Sequence, residues 1–158
     1  MTDQQTFLLQ RVQPAMVGLI DGSLSTLAPI FSVAVVTHKP HFAFIAGVAT
    51  AIGAGISMAF SEGLSDTGEV TGRGSPFTRG AITGAGTFIG GIVHTLPFLI
   101  PHYKAAIISA IVVVALELVI LAWLRWRFFE VGFGRALATV TAGGIIIAAV
   151  SAALGSAG

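Results

Sequence analysis

Residues 17–25 read Val-Gly-Leu-Ile-Asp-Gly-Ser-Leu-Ser, and they place a carboxylate, Asp21, inside an apolar run long enough to cross a membrane. An ionised side chain at the centre of a bilayer costs about 3 kcal/mol or more, and such residues commonly mark ion or substrate pathways. Asp21 is therefore the first functional candidate, and the question for the rest of the chain is which side chains face it.

The composition predicts an integral membrane protein of the all-α class. The chain has 158 residues, of which 54% are hydrophobic and 9% charged, and its mean hydropathy is +0.91. Typical soluble domains are about 25% charged. The absence of cysteine excludes disulfides and thiolate metal sites. A net charge of +1 without a basic patch gives no indication of nucleic-acid binding.

Five apolar segments are long enough to be transmembrane helices, since about 20 residues cross a bilayer core. A cytoplasmic N-terminal segment is predicted at 1–13, followed by a five-helix transmembrane transporter domain at 14–158. The predicted spans are residues 14–36, 42–62, 79–100, 105–124 and 136–154.

The basic residues predict the orientation, because cytoplasmic loops carry an excess of Lys and Arg. With the N-terminus in the cytoplasm, the outer side carries only Lys39 and Lys104. The inner side carries the arginines, namely Arg11, Arg73, Arg79, Arg125, Arg127 and Arg135. The prediction is therefore a cytoplasmic N-terminus and an external C-terminus.

The first two spans form a predicted hairpin in which Met58 lies at about the depth of Asp21. Glu62 follows one turn later on the same face as Met58. Ser25 lies one turn from Asp21, and Pro29 cannot donate a hydrogen bond to the Ser25 carbonyl. Polar backbone of this kind is tolerated at membrane depth where it lines a cavity.

This set of groups predicts a transient site for a divalent metal ion, with Asp21, Met58 and Glu62 as ligands. Carboxylates suit hard cations, and a thioether shifts the preference toward softer ions such as ferrous iron. Asp66 and Glu69 are secondary candidates that would collect cations near Glu62. Proton release from a carboxylate on metal binding would couple the two ions.

Two more polar residues lie inside predicted spans. Glu117 is at the middle of the fourth span and is expected to face the interior, near the same pathway or near a bonding partner across the interface between two copies. His94, in the outer half of the third span, would be a proton acceptor, a secondary ligand, or a neutral histidine bonded to a backbone carbonyl. No spacing typical of a hydrolase or a metal-dependent hydrolase is present, so the chain is not expected to be an enzyme.

Small residues recur at a spacing of four, as in Gly80-x-x-x-Gly84 and Gly86-x-x-x-Gly90 of the third span. This spacing lets helix backbones approach closely, within one chain or between two. Five short helices enclose little interior, so a permeation path forms more readily between two copies, and we expect a homodimer.

Two motifs resemble the signature helices of the vacuolar iron transporter family. They are the Asp-Gly sequence at Asp21 and the Ser-Met-Ala-x-x-Glu sequence from Ser57 to Glu62. The resemblance implies a homodimer that exchanges ferrous iron and related divalent ions for protons along the dimer interface. It also implies that Asp21, Met58 and Glu62 are pathway residues.

Further segments, including 10–14, 27–29, 72–76 and 94–97, look like the membrane half of bacterial membrane-bound ferritin A proteins. That similarity implies the inner (plasma) membrane of a bacterium, a multi-pass topology and a ferritin-like domain or partner. The 13 residues before the first span are too few for a ferritin-like domain. Residues 63–78 are too few for the metal-binding cytoplasmic insertion that eukaryotic members of the family carry.

The sequence thus predicts a transporter that exports ferrous iron, or alternatively manganese, from the cytoplasm in exchange for protons. Two alternatives stay open. One is an exchanger of a small solute for protons that uses Asp21 as its proton site. The other is a dimeric membrane anchor for a ferritin-like partner that performs the iron chemistry.

Overall fold

A computed structural model describes residues 2–156, and in that range the chain is helical apart from its turns, which confirms the all-α prediction. Five main helices are joined by short connections. They are α1 (Asp3–Thr37), α2 (Pro40–Gly63), α3 (Pro76–Val93), α4 (Tyr103–Phe129) and α5 (Phe133–Ser156), with a short 3-10 helix at Leu96–Leu99.

The first helix begins earlier than the sequence indicates. Thr2 and Gln5 form a capping box that starts it at Asp3. A π-helical stretch at Leu8–Val12 then joins this start to the apolar part. Residues 3–13, which were predicted as a separate segment before the first span, are therefore part of the first helix.

Four of the helices, α1, α2, α4 and α5, are long and apolar enough to cross a membrane. The five predicted spans thus correspond to five helices, but α3 is not among these four. Glycine and threonine are frequent in α3, and Arg79 lies in its first turn. Eight of its 18 residues are buried, and they include Thr83 and Thr87.

Glycines allow α3 to pack with its backbone against both α1 and α2. A side chain at Gly18 or Gly22 of α1 would overlap the carbonyl oxygens of Thr83 and Thr87. On the other side, a Cβ at Gly84 would lie 2.6 Å from the Gly55 carbonyl oxygen of α2. The Gly-x-x-x-Gly spacings of α3 therefore serve packing within the chain.

Helix α1 is interrupted at Thr26, between α-helical parts at Gln13–Ser25 and Leu27–Thr37. Pro29 accounts for the position, since a proline cannot donate to the carbonyl four residues earlier and its ring crowds that carbonyl. The Thr26 hydroxyl donates to the Gly22 carbonyl oxygen at 2.8 Å. The interruption directly follows Ser25, whose carbonyl oxygen was predicted to lack the N–H donor of residue 29.

The part of α1 after the interruption packs on α5 and α2, and α4 packs on α5. At the end of the bundle that holds the turn between α1 and α2, a core cluster is built around Ile30 and Phe98, both buried. A second cluster, formed by Ala122, Ala136 and Val140, holds α4 and α5 together near the other end.

Candidate functional site

Asp21 lies outside the face of α1 that packs on α3 and is only partly covered by the rest of the described chain. The residues of α1 that meet α3 include Ala15, Gly18, Leu19 and Gly22. Asp21 lies away from that set, four residues after Val17 and four before Ser25 on a common face. Val17 and Ser25 are exposed and Asp21 is partly exposed.

No hydrogen bond or ion pair joins the Asp21 carboxylate to another side chain among residues 2–151, the part of the chain whose side chains are described. The two predicted carboxylate ligands therefore have different surroundings. Asp21 is unpaired on a partly exposed face of α1. Glu62 belongs to a network of charges at the C-terminal end of α2.

This network, the acid–arginine cluster, consists of Glu62, Asp66, Arg73 and Arg79. The Arg79 Nε atom donates to Glu62 Oε1 at 2.9 Å, and Arg73 donates to the same oxygen. The two arginines also pair with Asp66, at 2.9 Å from Arg73 and 3.3 Å from Arg79. The four formal charges cancel.

Arg79 holds the centre of this cluster. Its side chain is fully buried, and it donates to two backbone carbonyls besides Glu62, that of Gly74 at 3.1 Å and that of Asp66 at 3.2 Å. A buried arginine requires such partners, because an unpaired buried charge costs several kcal/mol.

The loop that closes over the cluster depends on glycine. Gly68 and Gly74 have φ values of +80° and +73°, which side chains rarely tolerate. A Cβ at Gly68 would overlap the Gly74 carbonyl oxygen, the group that accepts from Arg79. Gln10 of α1 reaches the loop as well and donates to the Gly72 carbonyl oxygen at 3.1 Å.

The environment of Asp66 lowers the pKa of its carboxyl group from the ordinary value of 3.8. Desolvation opposes this shift. It is outweighed by hydrogen bonds from the Thr71 hydroxyl, the Gly68 backbone and the Arg73 guanidinium, together with the charge of Arg79. Asp66 is thus held as a carboxylate, and its charge is already matched.

These contacts change the interpretation of the predicted cation-collecting residues. Glu62 and Asp66 are not free acids at the end of α2, because two arginines occupy them. Glu69 is exposed and lies in the same loop. Both arginines bind Oε1 of Glu62, so a cation at this carboxylate would meet two positive charges that already neutralise it.

The second polar group, the histidine relay, is formed by Thr26, His94 and Glu117. His94 Nδ1 lies 2.8 Å from Glu117 Oε2, and His94 Nε2 lies 2.7 Å from the Thr26 hydroxyl oxygen. Thr26 and His94 are fully buried, and the Glu117 side chain is 12% exposed. Glu117 thus has its bonding partner within the chain, in His94, and not across an interface between two copies as the sequence suggested.

The three members of the relay come from three helices. His94 caps the C-terminal end of α3, Thr26 is the interruption of α1, and Glu117 lies about 21 Å along α4 from Tyr103 at 1.5 Å a residue. Gly91 makes room for Thr26, since a Cβ there would lie 2.8 Å from the Thr26 methyl group.

A preformed metal site is not present in the described part of the chain. No three His, Asp or Glu side chains among residues 2–156 are grouped so that they could hold an ion. Two buried hydroxyls of α3, those of Thr83 and Thr87, have no hydrogen-bond partner there.

Sequence reasoning missed Arg73, Arg79 and Thr26 as members of these groups. Arg79 precedes Gly80, and a glycine in an apolar segment indicates close helix packing. Gly80 packs on Ala59 of α2, close to Glu62, so this position was a usable signal. Thr26 carried no comparable signal, because a threonine in an apolar helix usually bonds to its own backbone, as Thr50 does.

Comparison of the chain with protein-family models, curated proteins and solved structures found no match.

Proposed function

We propose that this protein exchanges a divalent metal ion for protons across a bacterial inner membrane, with Asp21 as the central ion-binding carboxylate. The observation that carries the proposal is the position of Asp21, a partly exposed carboxylate without a bonding partner among the described side chains, on an interrupted apolar helix. The resemblance of the Asp21 and Met58 motifs to the vacuolar iron transporter family points the same way.

A second copy of the chain would complete the site. A carboxylate that faced lipid would be strongly disfavoured, so the face with Val17, Asp21 and Ser25 requires a cover. In a two-fold dimer, the same patch meets itself. Two Asp21 carboxylates at such an interface repel each other unless a cation or protons lie between them. Because the metal ion and the protons then compete for the same carboxylates, binding of one would release the other.

The predicted ligand chemistry favours ferrous iron, with manganese as the alternative, because Met58 adds a thioether to carboxylate oxygens. The distribution of arginines favours a cytoplasmic N-terminus and five spans. In that orientation the acid–arginine cluster lies on the cytoplasmic side.

Cations that arrive there meet Glu62 already paired with Arg73 and Arg79. The cluster therefore does not offer free carboxylates that would attract cations from the cytoplasm.

The test is flux into proteoliposomes that contain the purified chain. Ferrous, manganous and zinc ions are offered in turn across an imposed pH gradient, and both metal uptake and internal pH are followed. We expect uptake of ferrous or manganous ion with proton movement in the opposite direction. Asp21→Asn should abolish both, and Asp3→Asn, at an exposed aspartate in the first turn of the same helix, is the matched control.

Absence of flux for every ion from folded protein would overturn the transport proposal. It would favour the anchor for a ferritin-like partner.

A second candidate, exchange of another small solute for protons, is favoured by one observation. The carboxylates expected to collect cations are neutralised by arginines, which leaves Asp21 as a proton site without an acidic approach. Met58→Leu separates the two, because it weakens a metal site and leaves a solute/proton exchanger unchanged.

A further inference from the structure

Two helix interruptions meet at the histidine relay. α1 is broken at Thr26, and α3 ends at Val93, with His94 as its cap. Both points lie well inside the bundle, next to Glu117 of α4. Discontinuous helices that meet at depth are a recurring feature of ion sites in secondary transporters, because helix ends offer unpaired polar groups.

The hydrogen bonds define where protons reside in the relay. The Thr26 hydroxyl has one proton and donates it to the Gly22 carbonyl oxygen. With the hydroxyl proton directed at Gly22, we assign a proton to His94 Nε2, from which Thr26 accepts at 2.7 Å; the opposite tautomer, with a hydroxyl that donates to Nε2, is what the measurement below distinguishes. At 2.8 Å, His94 Nδ1 and Glu117 Oε2 must share a further proton, since a lone pair facing a carboxylate would be repelled.

The relay is neutral as a unit when that shared proton is bound. The proton on Nδ1 gives an imidazolium beside a carboxylate, and the proton on Oε2 gives a neutral imidazole beside a carboxylic acid. The C-terminal end of α3 favours the first form, because helix C-termini stabilise cations. Loss of the proton to water leaves a neutral histidine and a Glu117 carboxylate, with a net charge of −1 in a buried place.

We propose that Thr26, His94 and Glu117 form a proton-binding site separate from Asp21, loaded and emptied through Glu117. Glu117 is its only partly exposed member. The site releases its proton when a positive charge or water reaches the carboxylate. That this proton is the one exchanged for a cation rests on the proposed function; the existence of the site does not.

No other ionisable group within the described bundle is bonded to the relay. On α1 the nearest such residue is Asp21, which is partly exposed. On α2 it is the exposed His41, at the start of the helix, because Gly47 of α2 packs on Thr95 next to the relay. Glu62, at the far end of α2, is held by the arginines. α3 adds only Arg79, in its first turn. The remaining charges of α4 and α5 are close to the helix ends: Lys104, Arg125, Arg127, Glu130 and Arg135.

The chain allows a direct test because it has four histidines. Replacing the exposed His38, His41 and His102 by glutamine leaves His94 as the single histidine. The ¹⁵N resonances of this variant are followed in membranes between about pH 5 and 9, without metal. Infrared difference spectra over the same range report the Glu117 carboxylic acid.

We expect Nε2 of His94 to stay protonated throughout, and Nδ1 and the carboxyl group to lose one proton together. Glu117→Gln, whose amide can donate to Nδ1, keeps the fold and should remove this titration from both spectra. Asp21→Asn should leave it unchanged. A His94 that titrates as a free imidazole, or spectra unchanged by Glu117→Gln, would overturn the proposal.

If Glu117→Gln does not fold, the triple histidine variant alone decides, since loss of the Nε2 proton before the Nδ1 proton contradicts the assignment. Flux is a separate measurement. Glu117→Gln should lower pH-driven flux relative to the unsubstituted protein. Failure of flux in the unsubstituted protein would overturn the proposed function and leave the spectroscopic result standing.

Discussion

Arg79 shows at the scale of a single residue how a charge is kept inside a helical bundle. Its guanidinium is fully buried and has Glu62, the Asp66 carbonyl and the Gly74 carbonyl as partners. Removing one member of such a set leaves the others desolvated and unpaired, which is why the loss exceeds the worth of the original bond.

Arg79→Leu should therefore lower the free energy of unfolding by about 3 kcal/mol or more. Arg73→Leu is the matched control, because Arg73 shares the same carboxylates but is 22% exposed and should cost less. Thermal unfolding in detergent compares the two. Equal losses would contradict the central role of Arg79.

The acidity of Asp66 gives the cluster a pH dependence. Its pKa in the folded chain lies below the ordinary value of 3.8, so this carboxylate stabilises the fold above that value. The contribution is lost as the pH falls through the lowered pKa. The unsubstituted protein should lose resistance to unfolding more steeply in that range than Asp66→Asn does. Parallel pH profiles would show that Asp66 adds nothing.

Sequence reasoning identifies isolated charges better than paired ones. Asp21 stands out because it is a carboxylate in an apolar run. The pairing of Glu62 with Arg73 and Arg79 depends on how residues 64–75 fold back, and on the positive φ angles of Gly68 and Gly74. No periodicity encodes that path, so the sequence predicted acids near one membrane surface and missed their partners.

At the scale of helices, backbone packing is the main device of α3. Gly22 of α1 meets the carbonyl oxygen of Thr87 so closely that no Cβ fits. A side chain there must push two helix backbones apart, because a carbonyl cannot rotate aside as a flexible side chain does.

Gly22→Ala should cost about 1–3 kcal/mol of stability. Gly53→Ala is the control, since a Cβ at Gly53 has no neighbour within 4 Å. That change should be neutral, or stabilising by up to about 1 kcal/mol through helix propensity. A Gly22→Ala variant as stable as Gly53→Ala would show that α1 and α3 do not pack this tightly.

Most helices were predictable because apolar length is a strong signal, and the relay was not. His94 and Glu117 are separated by a 3-10 helix and irregular chain, so their common depth does not follow from counting residues around a simple turn. Interruptions at Thr26 and after Val93 bring them together.

At the scale of the molecule, the question is whether the Asp21 face of α1 is exposed in a single copy or covered by a second copy of the chain. A cysteine-free chain makes this easy to examine with single cysteines. Val17→Cys lies on the Asp21 face, and Val112→Cys lies on an exposed part of α4.

A short bifunctional maleimide applied to membranes should link Val17→Cys into a dimer and leave Val112→Cys monomeric. The reason is that a two-fold axis through the Asp21 face brings identical residues together. Dimers from Val112→Cys alone would place the interface elsewhere. Both variants are scored on denaturing gels at equal expression.

The composition of α3 also has a consequence for biogenesis. Segments partition from the translocon into lipid according to their own apolarity, and α3, with its glycines, threonines and buried arginine, has little to gain from lipid alone. In the five-span arrangement it becomes stable only when α1 and α2 are already present to receive it. If the proposed five-span arrangement holds, we expect insertion to be cooperative, with α3 crossing the membrane only after α1 and α2 are in place.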